Sequence, residues 1–260
     1  SLQNGKMTAE RRNNVNQIVL TGMVLSTTPV GEYDRRVVLL TKEQGKVSAF
    51  AKGSRRPNSP LVGVVNPFTF GEFTMYEGRS SYTIQSAKVI NYFSELREDV
   101  LGAYYGFYFL EVANYYAREF NDELEMLKLL YQTMRALTNP HIPDALIRCI
   151  YELKILTING EYPNVFSCRK CKKEEDLGWF SAKYAGTLCS ECKNDENIIR
   201  LDESALYTMQ YIITSSIEKL YTFQVSEDVL HTLERILKSY LALYVDRKFK
   251  SLKVLEEIRR

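Results

Sequence analysis

The sequence predicts an α+β chain: a small five-stranded β-barrel first, then an all-helical domain. Three observations carry this. Five β-branched or aromatic segments of strand length crowd into the first 90 residues. Helical periodicity takes over from residue 95. Four cysteines in two close pairs then interrupt the helices.

The strand segments are Ile18 to Leu25, Arg35 to Leu40, Lys46 to Lys52, Phe68 to Tyr76 and Tyr82 to Val89. Turn-like sequences separate them, such as Thr28-Pro29-Val30-Gly31 and Glu77-Gly78-Arg79-Ser80. With no long helix between them, they fit an antiparallel barrel, whose closure removes exposed edges. Phe68, Phe70, Phe73 and Met75 share a core face if Gly71 marks a bulge.

Leu96 to Phe120 is apolar on most faces, the pattern of a central buried helix. Leu124 to Leu137 follows, then Asp144 to Ile158, opened by Pro143 and closed near Gly160. Asp202 and Ser226 are placed to cap two further helices, and a last amphipathic stretch carries Phe249, Leu252, Leu255 and Ile258. The domain reading is a barrel over residues 15–93, a helical domain over 94–260 and a cysteine module over 165–195 inserted in it. Ser1 to Asn14 is set aside as a tail, disordered or left over from expression, because the chain starts Ser-Leu rather than Met.

The cysteines read Cys168-Arg-Lys-Cys171, then 17 residues, then Cys189-Ser-Glu-Cys192. Each Cys-x-x-Cys turn puts two sulfurs on one side of an ion, and two turns complete a tetrahedral zinc site. A redox pair or two disulfides are the competing readings. Neither suits two such pairs in a reducing compartment, which the lack of a secretion signal predicts. Four thiolates leave no open position for water, so one structural zinc per chain is expected rather than a catalytic one. Cys149, on a helix with Leu146, Ile150 and Leu153, reads as core.

Hydrophobic residues make up 45 % of the chain and charged residues 25 %, an ordinary globular mixture. No apolar run of 18 residues occurs, so no membrane helix is expected. Charge is uneven. Residues 1–95 hold 12 Lys/Arg against 7 Asp/Glu, a net +5, and the remainder is −3. Chance variation and an anionic partner, nucleic acid above all, both fit that asymmetry. Arg35 and Arg36 open a strand, and Lys52, Arg55 and Arg56 open the longest irregular stretch. These cations suit phosphate, although a merely solvated surface has the same composition. In Lys46 to Lys52, alternation puts Phe50 on the face of Lys52 and opposite Val47, Ala49 and Ala51. Phe50 is therefore a candidate base-stacking platform, with a core role as its alternative. No enzyme is expected. There is no G-x-x-x-x-G-K-[ST] loop and no H-x-E deaminase motif, and His141 and His231 read as ordinary surface or helix residues.

The turn Gly31-Glu32-Tyr33-Asp34-Arg35, the segment Ala51-Lys52-Gly53-Ser54-Arg55-Arg56 and the order of barrel, helices, cysteine quartet and more helices resemble the RecO family of bacterial recombination mediators. That resemblance implies an OB-fold N-terminal domain that binds single- and double-stranded DNA. It implies strand annealing in DNA repair and, with RecR, help in loading RecA onto DNA coated by single-strand binding protein. The helical domain would contact that protein's acidic C-terminal tail. Carried over by motif, Arg35, Lys52, Arg55 and Arg56 become DNA contacts, in a cytoplasmic, nucleoid-associated protein. Without the resemblance, the same residues also fit an OB-plus-zinc module acting on RNA or in transcription.

Overall fold

The computed structural model describes residues 16–259; the tail Ser1 to Asn14 lies outside the described residues. Strands β1 (Gln17–Val30), β2 (Asp34–Thr41), β3 (Gly45–Ala51), β4 (Phe70–Glu77) and β5 (Tyr82–Asn91) close into a barrel in the order β1-β2-β3-β5-β4. Neighbours are antiparallel except β3 and β5, which pair in parallel at Ala49↔Tyr82 and Phe50↔Thr83. This is the five-stranded OB barrel. Period-two alternation fills it: Val37, Leu39, Val47, Ala49, Phe73, Met75 and Ile84 point inward and are buried.

The aromatic run near β4 divides instead of sharing one face. The strand starts at Phe70, while Phe68 sits before it with φ 75°. The register slips between Phe70 and Gly71, at the expected bulge. Phe73 and Met75 enter the barrel. Phe68 and Phe70 turn to the helices, where Phe68 meets Phe107 at 4.9 Å and Phe70 meets Tyr131 at 4.7 Å.

Among the described residues six α-helices follow: α1 (Val100–Tyr116), α2 (Leu124–Leu137), α3 (Asp144–Ile158), α4 (Glu203–Thr214), α5 (Glu227–Tyr244) and α6 (Lys250–Ile258). Asp202 and Ser226 cap α4 and α5 through bonds from the N–H groups of Ala205 and Val229. The central helix is α3, not the Leu96 to Phe120 segment. It packs on α1, α2, α4 and α5, and every residue from Leu146 to Leu156 except Arg148 is buried. The α1 helix begins only at Val100, after a 3₁₀ turn and the Asp99 cap, and leaves Val100 and Phe107 exposed. Its Gly106 lets Phe68 approach: a Cβ there would lie 2.7 Å from the ring.

Besides its own interior core, the barrel shares a second core with the helices. Met23, Leu25, Leu40 and Phe68 join Phe109, Leu130 and Met134 in a single buried cluster. At its margin the Lys46 N–H donates to the Arg118 carbonyl at 3.0 Å, and the Phe120 N–H donates to the Gln44 carbonyl at 3.0 Å. Gly45 is required at this junction. Its φ is 65°, and a Cβ would meet the Arg118 carbonyl oxygen at 2.4 Å.

Two cations, the buried Lys154 and the partly buried Arg148, stabilise the helical core. Lys154 donates to the carbonyls of Ile212, Ile213 and Ser215 at the end of α4, at 3.2, 3.1 and 2.6 Å. Arg148 donates to the buried Glu152 carboxylate at 2.7 Å, and the Tyr108 hydroxyl of α1 donates to the same oxygen at 2.7 Å. Burial, with Glu152 beside it, pushes the Tyr108 hydroxyl well above its usual range. Arg148→Met strands that carboxylate and is expected to lower unfolding free energy by about 3–5 kcal/mol. Arg148→Met with Glu152→Leu should recover more than half of the loss. Denaturant midpoints check both, and a loss below about 1 kcal/mol for the single variant would refute the clamp.

Candidate nucleic-acid interface and metal centre

OB folds bind oligonucleotides on the face of strands two and three and on the loops joining strands 1–2 and 4–5. In this chain the helices cover part of that face, because Val38 and Leu40 of β2 pack into the helical core. The open part is the outer side of β3, with Lys46, Ser48, Phe50 and then Lys52. Register sets Arg36 opposite Phe50, and Arg36 Nε donates to Ser48 Oγ at 2.9 Å. Phe50 is half-buried, and Arg36 and Lys52 are exposed.

At the Lys52 end, the β1–β2 turn and the loop after β3 enclose a cleft of about 770 Å³, lined by Tyr33, Asp34, Lys52, Arg56 and Ser59 among others. The Asp34 carboxylate accepts from the Gly53 N–H at 2.7 Å. The Arg55 N–H donates to the Tyr33 carbonyl at 2.9 Å, and Arg55 Nη1 donates to the Gly31 carbonyl at 3.0 Å. These bonds tie the two loops together. Arg56 lies over the Tyr33 ring at 4.6 Å, a cation–π contact on an open surface. The hydrogen bond that Glu32 accepts, with some burial, pushes the Tyr33 hydroxyl above its usual value.

The structure therefore gathers Arg36, Phe50, Lys52 and Arg56 along one surface. Arg55 joins them, but its guanidinium braces the turn. Arg35 is different. It shares the register of Val37 and Leu39 and pairs with the buried Ala51, so it points to the barrel mouth. Its Nη1 is buried without a partner among the described residues. Tyr33 is a site residue that the cation pattern alone does not single out. An aromatic in a charged turn, too exposed to belong to a core, is the signal that marks it.

The second centre is built by a small sheet, β7-β6-β8, from β6 (Trp179–Ser181), β7 (Gly186–Leu188) and β8 (Ile198–Arg200). The sequence does not predict this sheet; strands of three residues leave almost no period to detect. Cys189 follows β7 directly. In the first knuckle the Cys168 N–H donates to the Lys173 carbonyl at 2.7 Å, and the Lys172 N–H donates back to the Cys168 carbonyl at 2.9 Å. In the second, the Cys192 N–H donates to the Cys189 carbonyl at 3.0 Å. All four Sγ atoms of Cys168, Cys171, Cys189 and Cys192 lie within 4.8 Å of one another, and Cys171 and Cys189 are 3.6 Å apart. A tetrahedral ion with metal–sulfur bonds of about 2.3 Å spaces its sulfurs about 3.8 Å apart, so the quartet fits a metal ion.

Burial alone raises Cys168, yet N–H groups of Cys171, Cys189 and Lys170 aimed at its sulfur hold it down at about 6. Desolvation and hydrogen bonds to the other three thiols push Cys192 up to about 12. The basic residues around the knuckles are engaged internally. Lys170 lies over Tyr184 at 4.4 Å, Lys193 over Trp179 at 4.2 Å, and Arg169 donates to the Tyr184 carbonyl at 3.0 Å.

The family model described as Recombination protein O N terminal matches residues 15–93, and the one described as Recombination protein O C terminal matches residues 97–253. A DNA repair protein RecO of Acetivibrio thermocellus is 30 % identical over 95 % of this chain and 99 % of its own length. One from Alkaliphilus metalliredigens is 31 % identical over 91 % and 98 %. The chain belongs to the RecO family. A further RecO relative, from Halalkalibacterium halodurans, is 28 % identical over 91 % of the chain and 93 % of its own. RecO membership makes this a DNA repair protein and implies contact with DNA. Among the described residues no helix is long and apolar enough to cross a membrane.

Metal binding must displace thiol protons, the Cys192 proton above all, so retention falls as pH falls. Dialysis against chelator at graded pH, followed by elemental analysis, should show release rising steadily toward acid. Release independent of pH would refute thiolate ligation. Cys168→Ser should lose the ion and unfold at lower denaturant while leaving DNA affinity nearly intact.

Proposed function

We propose that this RecO chain is a recombination mediator. It anneals complementary strands and, with RecR, promotes RecA loading onto DNA coated by single-strand binding protein, whose C-terminal tail it contacts. The observation that carries the reading is the open β3 face, where Arg36, Phe50, Lys52 and Arg56 follow one another over a cleft lined by Tyr33. Arg36, Lys52 and Arg56 hold phosphates, and Phe50 stacks on a base. Arg35 and Arg55 support them from the barrel mouth and the turn.

Such a protein needs no turnover. It has to neutralise two strands, let their bases meet and release the duplex. The quartet holds one zinc ion per chain as a structural staple, since four sulfurs leave no position for a reacting water. The proposed setting is the bacterial cytoplasm, at the nucleoid.

Arg36→Ala, Lys52→Ala and Arg56→Ala combined should weaken single-strand binding at least tenfold. They should also reduce the slope of log affinity against log salt by about 0.7 for each phosphate that is no longer neutralised. Titrations at several salt concentrations check this, and an unchanged slope would place the DNA elsewhere. The same variant should anneal complementary strands slowly, with and without coating protein. Competition among single-stranded DNA, duplex and RNA tests the substrate class, and a marked RNA preference would sink the mediator reading in favour of an RNA or transcription role.

A further inference from the structure

The cleft at the other end of β3 lies between the β4–β5 turn and the α1–α2 loop. It measures about 230 Å³ and is lined by Lys46, Ser48, Arg79, Tyr82, Glu119 and Phe120 among others. Phe120 is the most exposed large hydrophobic side chain among the described residues, at 81 %. Exposed aromatics are often incidental, but this one is held in a costly conformation. Its φ is 58°, in the left-handed region that disfavours any residue with a Cβ.

The loop is fixed on both sides. The Phe120 N–H donates to the Gln44 carbonyl at 3.0 Å, and the neighbouring Glu119 bridges to Gly45. On the helix side the buried Glu123 carboxylate accepts from the Arg118 N–H at 3.1 Å and from Asn121 Nδ2 at 3.0 Å. Backbone strain maintained by its surroundings, with the side chain facing water, is the arrangement that presents a side chain to a ligand.

Charge indicates which part of a ligand. Lys46 and Arg79 are matched in this cleft by Glu77 and Glu119, so it has no net attraction for phosphate. Lys46 is also engaged, donating to the Asn114 carbonyl at 3.0 Å. What the cleft offers is a ring face. Ser48 connects it to the proposed DNA face, because Ser48 lines the cleft and accepts from Arg36. From Lys52 to Lys46, β3 spans about 20 Å at about 3.3 Å per residue, the reach of several nucleotides.

We infer that Phe120, supplied by the helical domain, is a nucleobase-stacking platform that extends the single-strand path beyond the OB barrel. The inference rests on the β3 face being the DNA surface. A single strand laid along β3 with its phosphates on Arg36 and Lys52 passes a base over Phe120 beside the β4–β5 turn. A duplex keeps its bases stacked inside and does not use the ring.

The test uses the full chain with oligothymidylate and a duplex as probes. Phe120→Ala should weaken oligothymidylate binding about tenfold, with the salt slope unchanged because every phosphate stays paired with its cation, and should leave duplex affinity as it was. Phe120→Leu should bind as weakly as Phe120→Ala, and Phe120→Tyr should keep wild-type affinity. Phe120→Trp should show emission quenched by oligothymidylate; the wild-type protein, whose one tryptophan is Trp179, is the blank. Unchanged oligothymidylate affinity in Phe120→Ala overturns the inference. So does an equal loss for duplex, or a loss confined to a protein partner, which would make the ring a docking knob. If Arg36→Ala with Lys52→Ala and Arg56→Ala weakens binding while Phe120→Ala does not, the stacking inference fails and the DNA face stands. If neither weakens it, the face itself is wrong.

Discussion

Four apolar side chains that leave the barrel and enter the helical core set the geometry of the molecule. Met23, Leu25, Leu40 and Phe68 sit in one buried cluster with Phe109, Leu130 and Met134. Full burial of such a side chain contributes about 1.5–3 kcal/mol, so four of them rival the net stability of a domain. The barrel and the helices are therefore joined by a core rather than by a linker. This contact uses up the outer face of β2 near Leu40 and leaves β3 open. It also carries the α1–α2 loop to the edge of β3, where the Gln44 and Arg118 carbonyls each accept a backbone bond.

The cysteine module solves a different problem. Its own buried core is Cys168, Leu177, Leu188 and Cys189, too few residues to fold unaided. Two links fix it. Phe180, Ile199 and Leu201 reach into the helical core, and the Tyr244 hydroxyl donates to the Ala182 carbonyl at 2.8 Å. The sulfur quartet then binds the outer end, which carries many charges and little apolar surface. An ion there would replace a hydrophobic core, so its loss is expected to loosen the module and leave the barrel intact.

What could be read from the sequence follows the strength of local periodicity. Leu124–Leu137 and Asp144–Ile158 are marked by amphipathic spacing, by Pro143 and by Gly160, and the structure has those bounds. Alternation in β3 puts Phe50 and Lys52 outside and Val47, Ala49 and Ala51 inside, as they are. The quartet needed only its spacing. Non-local packing was not legible. An apolar segment such as Val100–Tyr116 looks central whether it is covered on all sides or on most, and only the assembled fold shows α3 in the middle. The outward turn of Phe68 and Phe70 depends on helices more than thirty residues later. Arg35 and Arg36 are adjacent cations in the sequence, yet one residue of register sends them to opposite faces. Phe120 lies at the end of a helical pattern, and nothing local indicates a left-handed backbone there.

The division of labour on the proposed DNA face follows from what each charge already touches. Asp34 and Arg55 hold the two loops together, so their charges are largely committed before any ligand arrives. Arg36 keeps one bond to Ser48 and Arg56 rests on Tyr33, so both are oriented yet still open to solvent on their remaining donors. A few such cations grip a phosphate backbone weakly and in a salt-sensitive way, because each adds only one increment of counterion release. Stacking adds affinity for unpaired bases alone. A surface that combines the two holds a single strand more firmly than the duplex it becomes, so pairing itself weakens the grip. On the proposed mediator reading, that difference supplies the release.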